Sequence, residues 1–329
     1  MTLDVSRPPA EADEDVGVNS SRERHFADIA AVHLSRRQAL GGLAASAAVA
    51  GLGGTLAGRV AQAQDQGSTL TFAEIAPGPR PEHAVAPGYS ADVVVRWGDA
   101  VLGKAPKFDV RAQTAAAQSQ QFGYNNDFLA FMPLPLGSNN SENGLLWVNH
   151  EYTELHMMFP GLEPKTMVDV ATKDMVDIEL AAMGASVVEV RKTRNRWNVV
   201  DGSRYARRIT ANTAIRLSGP ASGHARLKTS ADATGATVIG MLNNCGGGAT
   251  PWGTVLSAEE NFNGYFAGDA AKTPEARNYK RYGFAVTPRY AFARFHERFN
   301  VEKEPNEGNR FGWVVEVDPY DPAAVQVNR

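Results

Sequence analysis

Residues 128–134 are Phe-Leu-Ala-Phe-Met-Pro-Leu and residues 144–151 are Gly-Leu-Leu-Trp-Val-Asn-His-Glu, with a turn rich in Gly, Ser and Asn between them. Two short apolar runs joined by such a turn are typical of an antiparallel β-hairpin. Because a hairpin needs more strands to bury its apolar face, this stretch predicts a larger β-sheet around it.

The same pattern recurs on both sides of this hairpin. A second hairpin is predicted from residues 185–191 and 197–200, and further strands from residues 254–261 and 312–318. Residues 92–98 are an earlier strand candidate. Helical periodicity is clear only for residues 166–183, so helices are expected as a few insertions in a mainly β fold.

Short strands with turns between them leave a sandwich, a barrel or a propeller open. Three predicted strands carry an acidic residue at or near their ends: Glu151, Glu260 and Asp318. The innermost strands of propeller blades face one central channel, so such strand ends can converge on a common metal site. We therefore expect an incomplete β-propeller, since a chain that ends soon after Asp318 would leave a strand without its hairpin partner.

The composition is that of a globular protein. Of 329 residues, 43% are hydrophobic and 21% charged, which excludes a disordered or fibrous chain. The formal net charge is −3, without a basic run, so no nucleic-acid partner is expected. Cys245 is the sole cysteine, which excludes an intrachain disulfide.

The N-terminus resembles a twin-arginine signal peptide. Arg36 and Arg37 precede a weakly apolar, glycine-rich stretch, and Ala61-Gln62-Ala63 is a suitable cleavage site. The competing interpretation is a transmembrane anchor over residues 39–58, but its glycines make a poor lipid-facing helix. We expect a signal peptide over 1–63, a lead-in segment over 64–120 and a partial propeller phosphatase domain over 121–329. The mature protein would be periplasmic or secreted, without a stable membrane anchor.

The densest cluster of reactive residue types lies between residues 243 and 261. It contains Cys245, three glycines that would let the backbone approach a ligand with positive φ, and the pair Glu259 and Glu260. A thiolate favours a transition metal and carboxylates favour hard cations, so this mixture suggests more than one type of metal. Adjacent residues of a strand point to opposite faces, and we expect Glu260 on the metal side, with Glu259 as second choice.

Simpler interpretations compete with a metal site. A Cys-Gly-Gly-Gly run is commonly a plain tight loop, and paired glutamates are commonly a solvated strand face. His150 could bind a metal, but a single histidine after an apolar strand is more often structural, so Glu151 ranks above it. For Arg310 and Glu316, a surface charge and a strand-edge carboxylate are as well supported as a functional role.

Motifs of other hydrolases and nucleotide-binding proteins do not occur. The sequence has no Gly-x-Ser-x-Gly elbow, Walker-type loop, dinucleotide fingerprint or His-Glu-x-x-His helix.

At these residues the chain resembles the PhoX-type alkaline phosphatases, which are monomeric propeller enzymes exported by the twin-arginine pathway. The resemblance rests on residues 123–128, 146–151, 244–254, 259–261 and 309–319.

The resemblance implies a site with two ferric ions (Fe3+) and calcium ions (Ca2+). Cys245, Glu260 and Glu316 match the motifs expected to supply metal ligands, and Glu151 is a further match. Supporting roles around the metals would fall to the following residues: Asn149, His150, Asn244, Asn261 and Arg310.

The resemblance also implies hydrolysis of phosphate monoesters, in which cations clamp the phosphoryl oxygens and a metal-bound oxide or hydroxide is the nucleophile. The partners would be small phosphate esters and, during export, the twin-arginine translocation machinery. Family members continue beyond residue 319 into further blades, so we expect this chain alone to lack turnover.

Two other functions remain open from the residues. One is a calcium-dependent propeller hydrolase of another class, such as a lactonase or a phytase-like enzyme, which would not need Cys245. The other is a non-catalytic periplasmic fragment that binds ions or a partner.

Overall fold

The structure, a computed structural model, describes residues 73–287 and 289–322. The described residues from Pro77 onward belong to one compact unit. The predicted signal peptide at 1–63 lies outside the described residues. Over 73–287 and 289–322, no helix has the length and apolar character needed to cross a bilayer.

The largest sheet contains both predicted hairpins. Its strands are antiparallel, in the order β1-β2-β3-β4, and β5 pairs with the first half of β3. The bounds are β1 Asn126–Pro133, β2 Asn143–His150, β3 Gly184–Thr193, β4 Arg196–Val199 and β5 Arg207–Ile209. The hairpins expected from residues 128–151 and 185–200 are confirmed.

The central strands β2 and β3 are buried on both faces. Leu145 and Trp147 of β2 point into the main core, whereas Val148 points into a smaller apolar cluster on the other face. The β3 residues Val187 and Val188 divide between the two cores in the same way. Because successive side chains of a strand alternate between faces, a continuous apolar run is what a doubly covered strand requires.

A second, three-stranded sheet carries the remaining predicted strands. Its order is β10-β9-β8, with β8 Asn244–Ala249, β9 Val255–Glu259 and β10 Val314–Val317. Strands β6 Ala214–Arg216 and β7 Thr237–Ile239 form a separate antiparallel ribbon. The strands expected at residues 254–261 and 312–318 are confirmed.

The helices are short and lie between strands. In chain order they are α1 Ala115–Gln118, α2 Leu155–Met158, α3 Met167–Val170, α4 Lys173–Ala182, α5 Ala276–Arg281 and α6 Phe292–Phe295. Single 3-10 turns occur at Ala225–Leu227, Phe262–Tyr265, Ala270–Lys272, Glu297–Phe299 and Glu307–Arg310.

The helix expected over residues 166–183 is two helices, so its predicted continuity is wrong. Helix α3 ends at Val170, and Ala171 takes an extended ψ of 139°. The Thr172 hydroxyl then accepts a hydrogen bond from the Met175 N–H at 3.3 Å and caps α4. A threonine N-cap starts a new helix because it satisfies a backbone donor that the first turn leaves unpaired.

The strand expected over residues 92–98 is also wrong. Val94 and Val95 pack against the smaller apolar cluster, but the backbone joins no ladder. Trp97 instead donates its indole N–H to Gln118 at 2.8 Å, and Gly98 turns the chain with a φ of +88°. An apolar run can thus be buried through its side chains without pairing as a strand.

The described part of the chain is mainly β, with antiparallel sheets and short helices, as expected. The propeller stays a prediction, because the sheets over these residues are open and form no closed ring.

Candidate metal centre

Strand β8 lies against β1 and β2, and Gly247 makes this close packing possible. A Cβ at residue 247 would overlap with the Phe128 ring and would lie 2.7 Å from the Leu256 carbonyl oxygen. None of the three glycines at residues 246–248 lies in the left-handed region, so the expected positive φ is wrong. Gly247 is needed for contact between the two sheets.

Four strand ends bring acidic and thiol side chains to one place. Asp127 lies at a bulge in β1, and Cys245 at a bulge in β8. Glu151 follows the last residue of β2, and Glu260 follows the last residue of β9. Because β1 pairs with β2 and β8 pairs with β9, each hairpin contributes one residue from each of its two strands.

Two asparagines hold these strand ends in a repeated arrangement. Asn125 and Asn243 both take left-handed φ values, 49° and 51°. The Asn125 carbonyl accepts the Glu151 N–H at 3.0 Å, and the Asn243 carbonyl accepts the Glu260 N–H at 2.8 Å. Asparagine is among the residues that tolerate this conformation best. The same turn therefore positions one carboxylate beside each bulge.

The side chains meet closely enough to share an ion. One ligand atom from each of Asp127, Glu151 and Cys245 lies within 4.8 Å of the others. The Cys245 thiol donates a hydrogen bond to Asp127 Oδ2 at 2.9 Å, and the Glu260 carboxylate lies near enough to act on the same thiol. Donor atoms 2.0–2.6 Å from a cation lie about 3–5 Å from one another, which matches this spacing.

The cluster concentrates negative charge. Hydrogen bonds to Asp127 and then Glu260, followed by burial and the Glu151 charge, raise the pKa of the Cys245 thiol above its usual range. Burial, then the charges of Asp127 and Glu260, raise the pKa of Glu151, whereas Arg289 lowers it. A bound cation reverses these effects because it stabilises each ionised ligand.

Asn149 fixes the backbone of Cys245 by a hydrogen bond. Its side-chain amide donates to the Cys245 carbonyl oxygen at 2.8 Å, and its oxygen accepts the Trp147 indole N–H at 2.8 Å and the Ser257 hydroxyl at 3.0 Å. The side chain is fully buried. Asn149 therefore ties β2, β8 and β9 together at the cysteine.

His150 and Asn244 are also buried and bonded to the protein. The His150 ring nitrogens contact Ser186 Oγ at 2.7 Å and Asn126 Oδ1 at 3.0 Å. Burial, and then the charge of Arg208, lower the pKa of His150, so a neutral ring is favoured. The Asn244 amide donates to the Gly184 carbonyl at 2.7 Å and joins the two sheets.

Glu259 lies on the other side of β9 from Glu260. Its Oε1 accepts the Leu242 N–H at 2.8 Å, and its Oε2 accepts the Gly312 N–H at 2.9 Å. The carboxylate is thus occupied by backbone donors and stands outside the cluster. Asn261 is exposed, and its N–H donates to the Asn243 side chain, which fixes the turn after Glu260.

Glu316 and Arg310 are not brought together with Cys245. Glu316 Oε1 accepts the Thr254 hydroxyl at 2.6 Å and the Trp252 indole N–H at 3.1 Å, and these bonds lower its pKa. Arg310 is buried in an ion pair with Glu307 at 3.0 Å. The cluster expected from Cys245, Glu260 and Glu316 therefore forms with Cys245 and Glu260 only.

Asp127 is the cluster residue that the sequence analysis missed. The signal for it is the repeat of Asn125-Asn126-Asp127 in Asn243-Asn244-Cys245, where the third residue of each triplet enters the cluster. The donor set of one sulfur and several carboxylates fits metal ions, because sulfur suits a transition metal and carboxylate oxygens suit a hard cation.

Comparison with known proteins identifies the family of the chain. The family described as Alkaline phosphatase PhoX matches residues 70–329. The solved structure of Pseudomonas fluorescens PhoX in complex with vanadate, a transition state analogue, is 40% identical in sequence, with a TM-score of 0.68. The match covers 75% of this chain and 41% of that one. No curated protein matches significantly. From the family match over most of its length, the chain belongs to the PhoX alkaline phosphatase family.

Proposed function

We propose that this chain acts in the metal-dependent hydrolysis of phosphate monoesters, and that Asp127, Glu151, Cys245 and Glu260 hold its cations. The observation that carries the proposal is the meeting of one thiol and carboxylates from two hairpins in a chain of the PhoX family. A structural role does not explain it, because grouped carboxylates repel one another in the absence of a cation.

The metals are assigned from the chemistry of the donors. Ferric iron suits the Cys245 thiolate, with Asp127 and Glu260 beside it. Calcium suits carboxylate oxygens, and Glu151 is the carboxylate of the cluster that we assign to it. A pair of ferric ions together with calcium, and a ligand role for Glu316, are part of the proposal and rest on the family resemblance.

The cations would neutralise the phosphoryl oxygens and activate water as a nucleophile, so no side-chain nucleophile is required. The chain's own contribution is positional. Asn149 fixes the Cys245 backbone, and the carbonyls of Asn125 and Asn243 fix Glu151 and Glu260. Such support matters because small displacements of reacting groups reduce rates strongly.

Export by the twin-arginine pathway, a periplasmic or secreted location and a monomeric state are parts of the same proposal. They rest on Arg36 and Arg37 and on the family resemblance.

The calcium-dependent hydrolases of other classes are the main alternative. Against them stands Cys245, whose thiol lies among the carboxylates at hydrogen-bond distance from Asp127. A calcium site has no use for a sulfur ligand.

Ligand binding tests this function directly. The chain is loaded with Fe3+ and Ca2+, and its affinity for vanadate and for inorganic phosphate is measured by calorimetry. The measured quantity is anion binding and not turnover, because the chain spans 41% of the PhoX chain it matches. Vanadate is the analogue present in that PhoX structure.

We expect both anions to bind only after metal loading. A chain that takes up iron but binds neither anion would contradict the proposed function. If replacement of Cys245 leaves iron uptake unchanged, the calcium-dependent alternative is favoured.

A further inference from the structure

Arg289 lies beside the metal cluster, in the loop between α5 and α6, and its side chain is exposed. Its guanidinium carbon is 5.9 Å from the centre of the Tyr152 ring and 5.5 Å from that of Tyr290. Tyr152 directly follows the cluster residue Glu151. The arginine is therefore held against a ring that belongs to the metal-binding segment.

Two features hold the long side chain in place. The Tyr290 ring is stacked on Tyr265, with centroids 4.5 Å apart, and Tyr265 is fully buried. The stem of Arg289 passes Gly264, where an added Cβ would lie 3.6 Å from Arg289 Cδ. Cation–π contact with two tyrosines lowers the entropy that the guanidinium loses when it binds a ligand.

The charge of Arg289 reaches the cluster. It acts on Glu151 in the direction opposite to that of Asp127 and Glu260. Within 73–287 and 289–322, however, the Arg289 guanidinium has no hydrogen-bond acceptor and no ion-pair partner. Its donors are free to bind a ligand.

Other arginines of the chain show what a structural role looks like. Arg310 is buried in ion pairs with Glu307 and Asp232. Arg208 is half-buried and donates to the carbonyls of Ala185 and Ala181. Each directs guanidinium donors to protein acceptors, whereas Arg289 presents its guanidinium to solvent next to the cluster.

A phosphate group has the chemistry to use both features. Its oxygens can approach cations on one side and accept two parallel N–H bonds from a guanidinium on the other. We propose that Arg289 is a substrate-binding residue, which holds the phosphoryl oxygens of a phosphate monoester over the Asp127–Glu151–Cys245–Glu260 cluster. This inference rests on the proposed function and adds to it the residue that recognises the phosphate.

The test compares Arg289→Gln and Arg289→Lys with the unaltered chain, all loaded with Fe3+ and Ca2+. Affinities for inorganic phosphate and vanadate are measured by calorimetry, and metal content by elemental analysis. The matched control is Arg204→Gln, since Arg204 is also exposed and lies over a tyrosine ring, at 4.6 Å from the Tyr205 centroid, in the turn before β5.

We expect Arg289→Gln to weaken binding of both anions by about 10- to 100-fold, the range of a lost charge-assisted bidentate contact. Arg289→Lys should recover part of this loss, because it restores the charge but not the fork. Metal content should stay unchanged in both variants, and Arg204→Gln should bind like the unaltered chain.

Two results would overturn the inference alone. In the first, the unaltered chain binds the anions and Arg289→Gln binds them equally well. In the second, Arg289→Gln loses metal in proportion to its loss of anion binding, which would make the arginine a support for Glu151. If the metal-loaded unaltered chain binds neither anion, the proposed function itself fails.

Discussion

The Cys245 thiol donates a hydrogen bond to the Asp127 carboxylate, with 2.9 Å between Sγ and Oδ2, although 118 positions separate the two residues in the chain. The contact exists because β8 packs on β1 through Gly247, where a side chain would overlap with Phe128. A soft sulfur donor and a hard oxygen donor thus come together because residue 247 has no side chain between the two sheets.

The role of Asp127 as a ligand gives the first prediction. Asp127→Asn should weaken iron binding at least about tenfold, because even residues that only support a ligand commonly contribute 10- to 100-fold. Iron affinity is measured by competition with a chelator. Asp201→Asn, a change in an exposed turn after β4, is the control and should have no effect. Equal iron affinity in both variants would remove Asp127 from the site.

Adjacent glutamates should respond in opposite ways. Glu259→Gln places an amide where backbone N–H groups are bound, and should lower the free energy of unfolding by about 1–3 kcal/mol while iron binding is retained. Glu260→Gln should weaken iron binding with little change in stability, since Glu260 is exposed. Chemical denaturation and metal analysis of the two variants check this. Loss of iron from Glu259→Gln in a folded chain would contradict the assignment.

Gly247 should not tolerate a methyl group. Gly247→Ala forces a Cβ against Phe128 and the Leu256 carbonyl, so we expect a loss of about 1–3 kcal/mol in the free energy of unfolding. Gly248→Ala is the matched control, because an added Cβ there meets no described atom within 4 Å. Urea denaturation distinguishes the two. Equal stability of both variants would mean that the two sheets do not pack as described.

Glu179 makes stability depend on pH. This carboxyl group is fully buried and accepts the Thr153 hydroxyl at 2.8 Å; burial, reinforced by the Glu154 charge, raises its pKa to about 8. Between its ordinary value near 4.5 and about 8, the folded chain keeps a proton that the unfolded chain releases. The contribution of Glu179 to stability therefore decreases as pH rises through this window, by at most about 1.4 kcal/mol per pH unit.

Glu179→Gln should remove that dependence. The variant should match the unaltered chain near pH 4 and be more stable at pH 8, as measured by urea denaturation across the pH range. A difference between the two proteins that stays constant from pH 4 to 8 would show that the pKa of Glu179 is the same in the folded and the unfolded chain.

The hairpins could be predicted from sequence because their signal is local. Alternating burial and a polar turn define β1 to β4, and the central strands show as continuous apolar runs. The two incorrect predictions, a strand over residues 92–98 and one continuous helix over residues 166–183, also have local causes. Residues 92–98 have the composition of a strand but bury their side chains in a satellite cluster, and Thr172 ends one helix and caps the next.

The site was predictable only in part because its assembly is not local. Cys245, Glu151 and Glu260 were recognisable as residue types at strand ends. Asp127 can be recognised only by comparing the triplets at residues 125–127 and 243–245, which both begin with Asn-Asn. The separation of Glu316 from Cys245 depends on how the two sheets pack. The periodicity of the sequence does not predict how the two sheets pack on each other.

The most direct test of the central claim is the visible absorbance of the chain loaded with Fe3+. We predict a thiolate-to-iron charge-transfer band with a purple-brown colour. The band should be lost in Cys245→Ala and retained in the matched control Gly246→Ala, because an added Cβ at residue 246 meets no described atom within 4 Å. An iron-loaded chain without this band, or a band that survives Cys245→Ala, would contradict the account.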